Sequence, residues 1–316
     1  MLKRARWGAA LLGLWMLGGG AAAEPRSVLG VNFESPDDPA WAEATIPNGI
    51  LYEWRFANPQ NGGQAAVLAV VSGTPGFRGD PALALPALMD AAGVLNGMQP
   101  IQEHKGTTTT GAAMAWALRG GSTGTSPSVD AVVTAVAFSA PEGLADAMLI
   151  LINVDSASRE KADRTFAALV RSLYMGPTPR PVSPSLPPGA DTLDGLFVYT
   201  VTNFIQNPMG GSQMTMDWKL RQFDAGGLYA DRPPLGGETL AALCASTPEA
   251  CGAYRLDGGA MTMAKVDTFG LVETRTDSFE RTVRGFQIDR YPYEPARPVP
   301  GPTLSGSWLF NYCAGG

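Results

Sequence analysis

The stretch PTPRPVSPSLPP, residues 177–188, decides how the rest of the chain is read. Six of its twelve residues are proline. Each proline fixes φ and removes a backbone donor, so neither a regular helix nor a central strand runs through it. Such a segment is extended and semi-rigid, a linker rather than a packed element. It divides the 316 residues into an N-terminal domain at 24–176, a linker at 177–190 and a C-terminal domain at 191–316. That length is ordinary for two domains.

Upstream of the linker the pattern mixes strands and helices. Residues 28–33, 50–56, 65–71, 111–118, 131–138 and 148–154 read as strands. The last two (AVVTAVAF and MLILINV) are apolar and β-branched, as in a buried sheet. Residues 83–95 are helix-like, with Pro86 delaying or kinking the start. A second helix is predicted over 157–174, with Ser156 as its cap. Ala162, Phe166, Leu169, Val170 and Leu173 form one continuous face along it, suited to packing on a sheet. This half is expected to be α+β, an antiparallel sheet with two helices.

Downstream, helical periodicity almost vanishes. Short runs at 196–204, 213–223, 227–229, 253–256, 260–266, 271–276, 278–284 and 285–290 alternate with glycine turns. Asp224-Ala225-Gly226-Gly227 and Asp257-Gly258-Gly259 are hairpin signals. Residues 238–244 could make one short helix. The C-terminal half is expected to be an all-β small barrel or sandwich.

The first 23 residues read as a secretory signal peptide. Lys3, Arg4 and Arg6 precede an apolar run from Trp7 to Leu17, then three glycines and Ala21-Ala22-Ala23. The run is too short for a bilayer span, and cleavage is expected after Ala23. No cysteine lies there, which excludes lipid attachment at that site. The expected location is the periplasm or the medium, with no membrane span after processing. Removing the three basic residues leaves 20 Lys and Arg against 29 Asp and Glu, a net charge of about −9. An acidic chain without a basic run is repelled by phosphate backbones, which argues against nucleic acid as a partner. Charged residues are only 16%, beside 38 glycines and 26 prolines, which suits a loop-rich β protein rather than a helical bundle.

Three cysteines, Cys244, Cys251 and Cys313, stand in this chain. In an oxidising compartment two should pair. A Cys244–Cys251 loop around Pro248 is favoured; pairing of Cys313 with either is the alternative. No second Cys or His stands at ligand spacing, so no metal or cofactor is expected.

The N-terminal half resembles the PsbP/DcrB-type fold of secreted bacterial proteins. The likeness lies in the opening strand followed by Pro39 and Trp41, the order of strands and helices, and the closing Val170-Arg171-Ser172-Leu173. The C-terminal half resembles an uncharacterised bacterial lipocalin-like β domain. Leu193-Asp194-Gly195, Phe223 with Gly227-Leu228-Tyr229, and Cys251-Gly252-x-Tyr254 before Asp257-Gly258-Gly259 carry that likeness. Neither resemblance implies a substrate or catalytic residues. Leu304-Ser305-Gly306-Ser307-Trp308 echoes the opening at Leu193–Phe197. It reads either as the last barrel strand or as the start of a further unit.

Catalytic patterns are poor. Gly120-Gly121-Ser122-Thr123-Gly124 matches G-x-S-x-G, but that chemistry needs a strand–elbow–helix turn with a later histidine. The only histidine, His104, comes earlier and reads as a surface strand or loop residue. Asp191, Asp194, Asp217 and Asp231 sit mostly at turn-like positions without paired spacing. Met209 is followed by two Met-x-Met pairs, Met214 with Met216 and then Met261 with Met263. In strands these share a face, and thioethers either pack a core or bind Cu(I). Met214, Met216, Met261 and Met263 are the candidates to face a small apolar ligand. Three functions compete: a non-catalytic extracytoplasmic binding or envelope-associated protein, a carrier of a small apolar ligand in the barrel, and a hydrolase.

Overall fold

The computed structural model describes residues 23–47, 49–57, 64–76, 78–91, 98–122, 130–140, 142–179, 182–207, 211–234 and 237–296. Residues 1–22 (most of the expected signal peptide), Met209, residues 304–308 and Cys313 lie outside them. The fold is mostly β, with few helices and one closed eight-stranded barrel.

The chain opens with a tight hairpin, β1 (Pro25–Val28) and β2 (Val31–Glu34). The sequence suggests one strand over 28–33. The chain reverses there because Leu29 and Gly30 both take positive φ, 49° and 85°. Then come β3 (Ala42–Ile46), β4 (Gly49–Ala57), β5 (Gln64–Pro75) and α1 (Leu85–Ala91). β6 (Gln99–Thr107), β7 (Ala113–Ser122), β8 (Asp130–Ala140) and β9 (Gly143–Ile152) follow. These strands make one antiparallel sheet in the order β3-β4-β5-β9-β8-β7-β6. α2 (Ser156–Ser172) follows, and the short β10 (Tyr174–Met175) pairs with β2.

Alternation along β9 explains the two cores. Ala145, Ala147, Leu149 and Leu151 pack with Phe166, Leu169 and Val170 of α2, while Leu144, Met148 and Ile150 pack with Leu85 and Met89 of α1. α2 is capped by Asp155, not Ser156: its carboxylate accepts from the backbone N–H of Ala157 and Ser158, each at 3.0 Å. A carboxylate there also meets the positive end of the helix dipole.

The barrel is β11 (Gly195–Asn207), β12 (Gly211–Phe223), β13 (Leu228–Ala230), β14 (Cys251–Asp257), β15 (Ala260–Val266), β16 (Val272–Thr282), β17 (Gly285–Ile288) and β18 (Tyr291–Pro295), in chain order. α3 (Leu240–Ser246) interrupts it. Residues 271–276 and 278–284, expected as two strands, form the single β16. β18 pairs with β11 and closes the ring, so the closing strand ends at Pro295, ahead of residues 304–308. Both glycine turns occur as expected. At the first, Asp224 accepts from Leu228 N–H at 3.0 Å and Gly227 takes φ 87°. Phe197, Phe223, Tyr229, Tyr254, Phe279, Phe286 and Tyr293 are buried in the barrel core with Leu256 and Met261.

Cys244 and Cys251 form a disulfide, joining α3 to the start of β14. The chain makes two compact units. One holds the described residues up to Pro184 together with Cys244–Gly252 and Ala264–Thr274. The other holds Ser185–Leu243, Ala253–Met263 and the described residues from Arg275. Linear order alone does not show that two later segments belong with the first.

Candidate functional site

β11 and β12 pair over their full length, from Gly195↔Phe223 to Asn207↔Gly211. β18 reaches β11 only at Phe197, Val198 and Tyr199. β13 reaches β12 only at Gln222 and Phe223. Past those contacts the hairpin has no further strand on either edge among the described residues. Among the described residues it is a two-stranded ribbon rooted in the barrel.

Side chains alternate across such a ribbon. On one face stand Met214, Met216, Trp218 and Leu220, with exposures of 56, 58, 73 and 40%. Opposite Leu220, Trp218 and Met216 on the partner strand are Val198, Thr200 and Thr202. None of these seven positions carries a charge. The charged residues of β12 (Asp217, Lys219 and Arg221) occupy the other parity. A contiguous row of large apolar side chains in solvent marks an interaction surface more often than chance exposure does.

Arg221 anchors the root. Its side chain is only 13% exposed and its Nε and Nη2 each lie 2.6 Å from Asp231 Oδ1. Nη1 donates to Tyr293 Oη at 3.2 Å and Nη2 to Tyr199 Oη at 3.5 Å. The guanidinium also lies 5.3, 5.1 and 5.9 Å from the ring centres of Tyr199, Tyr229 and Tyr293. These rings come from β11, β13 and β18, so one cation ties three strands to β12. Burial opposes its charge, but Tyr293, Asp231 and Tyr199 outweigh burial and raise its pKa further. Burial pushes Tyr229 up to about 12 and also raises Tyr199 and Tyr293. The cluster therefore holds a fixed positive charge among neutral phenols.

The methionine candidates are separated. Met214 and Met216 face solvent on the ribbon, Met261 is fully buried in the barrel core, and Met263 Sδ lies 3.8 Å from Arg221 Nη1. They do not line one shared surface. The G-x-S-x-G segment also differs from a nucleophile elbow. Ser122 ends β7 and pairs with Asp130 at the start of β8, so strand follows strand; residues 123–129 lie outside the described set. His104 is on β6, stacked on Trp116 at 4.5 Å, with Nδ1 3.0 Å from Glu273 Oε1. Trp116 donates its indole N–H to Asp267 at 2.7 Å. His104 is thus held within a structural aromatic–acid cluster. Asp191 pairs with Arg281 and Asp231 with Arg221, so these two carboxylates face cations instead of each other. A cleft of about 570 Å³ in the first unit is lined by Arg78, Thr110, Phe138, Ser139, Tyr174 and Met175 among others, without an acid–base pair. Among the described residues no group of three or more His, Cys, Asp or Glu is placed to hold a metal ion.

Arg221, its tyrosines and Trp218 are absent from the sequence-derived candidates. The signal was available in the strict alternation Met214, Met216, Trp218, Leu220 against Asp217, Lys219, Arg221. It defines two faces, yet apolar parity ordinarily points inward, whereas from Met216 to Leu220 both faces are exposed.

No family model matches this chain. No curated protein matches it either. The solved structure of a point mutant of protein Mog1 is similar over 49% of this chain and 96% of its own, at 8% identity and a TM-score of 0.31. Similarity at that level bears on neither fold nor function.

Proposed function

We propose that this is a non-catalytic extracytoplasmic binding or envelope-associated protein whose β11–β12 ribbon engages its partner. The exposed, charge-free row Met214, Met216, Trp218 and Leu220 carries the reading. A leader-like N-terminus and a disulfide fit export to the periplasm or beyond. Among the described residues no helix is long and apolar enough to cross a membrane. We read the first unit as an α+β domain of PsbP/DcrB type and the barrel as lipocalin-like. A carrier would need an open interior, whereas Phe197, Phe223 and Phe286 meet there at ring separations of 4.7–5.9 Å.

A photo-crosslinking residue placed at Trp218 in the native host tests this. The expected result is one discrete adduct from position 218 and none from Lys219, which belongs to the opposite face. Equal labelling from both positions, or none from 218, refutes the ribbon as the recognition surface.

A further inference from the structure

We propose that the partner of the β11–β12 ribbon is a zwitterionic phospholipid bilayer, on which the ribbon lies flat with its even-numbered face against the lipid. This rests on the ribbon being the recognition surface described above and names the chemistry of its partner.

The first observation is how charge divides across the ribbon. Met214, Met216, Trp218 and Leu220 form an exposed row about 20 Å long on one face of β12. No charged residue occurs in the sequence from Gly195 to Met216. Asp217 and Lys219 have the other parity and are exposed as well. Both faces of this stretch therefore meet water, although only one of them carries charge. A bilayer suits that arrangement, because its acyl boundary covers the apolar face and leaves the charged one wet. A protein groove closing round the ribbon would desolvate Asp217 and Lys219 too. The second is the backbone. Beyond Tyr199 on β11, and from Gly211 to Arg221 on β12, the outer edges have no strand partner among the described residues. Open edges of that kind do not enter hydrocarbon, where nothing satisfies their N–H and C=O groups. Lying flat keeps both edges at headgroup depth, within reach of water, so the ribbon attaches without crossing.

The third is the kind of side chain. Trp218, 73% exposed, is of the aromatic type that concentrates at membrane–water boundaries. Methionine is unbranched and adapts its shape to an irregular surface. The fourth is size. Four side chains on a two-stranded ribbon make a strip smaller than the ~800 Å² that each partner gives to a stable protein complex. Acyl chains are fluid and need no matching shape, so a small strip is enough for reversible attachment. Charge then selects the lipid. The chain has 29 Asp and Glu against 23 Lys and Arg, which disfavours anionic headgroups. Arg221, the cation at the ribbon's root, is already engaged by Asp231, Tyr199 and Tyr293. Neutral, zwitterionic headgroups fit this surface.

Crosslinking to phosphatidylcholine vesicles tests the proposal, using the purified full chain with a photo-reactive residue at Met216 or at Lys219. Position 216 should form a phospholipid adduct in about tenfold or greater excess over position 219. Trp218→Asp should lower the yield from position 216 by about tenfold or more, because it puts a charge on the lipid-facing row. The comparison of 216 with 219 needs no variant of the row, so it decides the matter even if Trp218→Asp folds poorly. The readout belongs to the ribbon, so lipid binding by an apolar run elsewhere, such as residues 7–17, does not produce it. Adding phosphatidylglycerol should not raise the yield, and about 0.5 M salt should not lower it. Equal yields from both positions, or none from 216, overturn the proposal. A yield that rises with phosphatidylglycerol and falls with salt shows attachment through cations and overturns it too. An adduct of doubled chain mass assigns the row to a second copy, with the same consequence. A protein adduct from position 218 in the host, without lipid adducts on vesicles, overturns the lipid partner and leaves the ribbon as the recognition surface. No adduct from position 218 in either setting overturns both.

Discussion

β9 and β12 are both strands with a row of large apolar side chains, and they meet opposite fates. β9 (GLADAMLILI) is buried from Gly143 to Leu151, between β5 and β8 at its edges and beneath a helix on each face. β12 alternates apolar and charged residues, and from Met216 to Leu220 both parities stand in solvent, the apolar one included. The difference lies in cover rather than in the strand. The chain supplies α1 and α2 with matching apolar faces for β9. For β12, the even-numbered side chains from Met214 to Leu220 are exposed, Asp217 and Lys219 are exposed as well, and only at the root is Arg221 drawn in, by pairing with phenols and a carboxylate. An apolar stripe therefore shows that a face exists. Only the partner element decides whether the face is core or contact surface.

The comparison breaks most readily at its buried end. Leu149 is fully buried beneath α2. Leu149→Ala removes buried methyl groups and leaves a cavity, and should destabilise the first unit by about 3–5 kcal/mol in denaturant unfolding. A loss under about 1 kcal/mol would mean that β9 is far less tightly covered than the contacts indicate.

At the ribbon's root the expected effect is next in size and depends on pH. Burial raises the folded pKa of Tyr229 to about 12, against about 10 in the unfolded chain. Its contribution is fully present below pH ~10 and is lost as pH rises from there through about 12, because the unfolded state releases its proton first. Tyr229 alone should remove about 3 kcal/mol over that window. Tyrosinate absorbance should therefore rise together with loss of barrel structure by circular dichroism. Ionisation of all eight tyrosines near pH 10 with the barrel intact would contradict the burial of this cluster.

Much of the covered region was legible. β8, β9 and α2 follow apolar periodicities that survive folding because burial is what those periodicities encode. Both glycine turns and the close cysteine pair were legible for local reasons, backbone freedom and short spacing. β6 was not, because eight of its nine residues are exposed at a sheet edge and no burial pattern marks them. The reversal at Leu29 was hidden because leucine rarely adopts positive φ. Arg221 was hidden for the reason already given: parity separates two faces without saying which is inside. Membership of the two later segments in the first unit depends on long-range packing that local sequence does not carry.

The disulfide sharpens the comparison between units. Its loop is short, with a sequence separation of 7, so it restrains little of the unfolded chain, about 2–3 kcal/mol. The sequence suggests that reduction loosens the C-terminal domain first. Because Cys244–Gly252 belongs to the first unit, Cys244→Ser with Cys251→Ser should lower that unit's unfolding midpoint and speed exchange in α3 and the start of β14. A shift confined to the amides of β17 and β18 would place the restraint in the barrel instead.

Trp218→Ser gives the smallest expected effect on stability and separates the two regions most sharply. At 73% exposure the indole gains little from folding, so its removal should change unfolding free energy by less than about 0.5 kcal/mol. The apolar row would meanwhile lose its largest member, and aromatic anchors dominate contact surfaces. Binding and stability should therefore part company here, whereas Leu149→Ala affects stability first. Denaturant unfolding of Trp218→Ser, beside crosslinking from a photo-reactive residue placed at Met216 of the same row, makes the measurement. A loss of 2 kcal/mol or more would show that Trp218 is packed in solution, and β12 would then belong with β9 among covered strands.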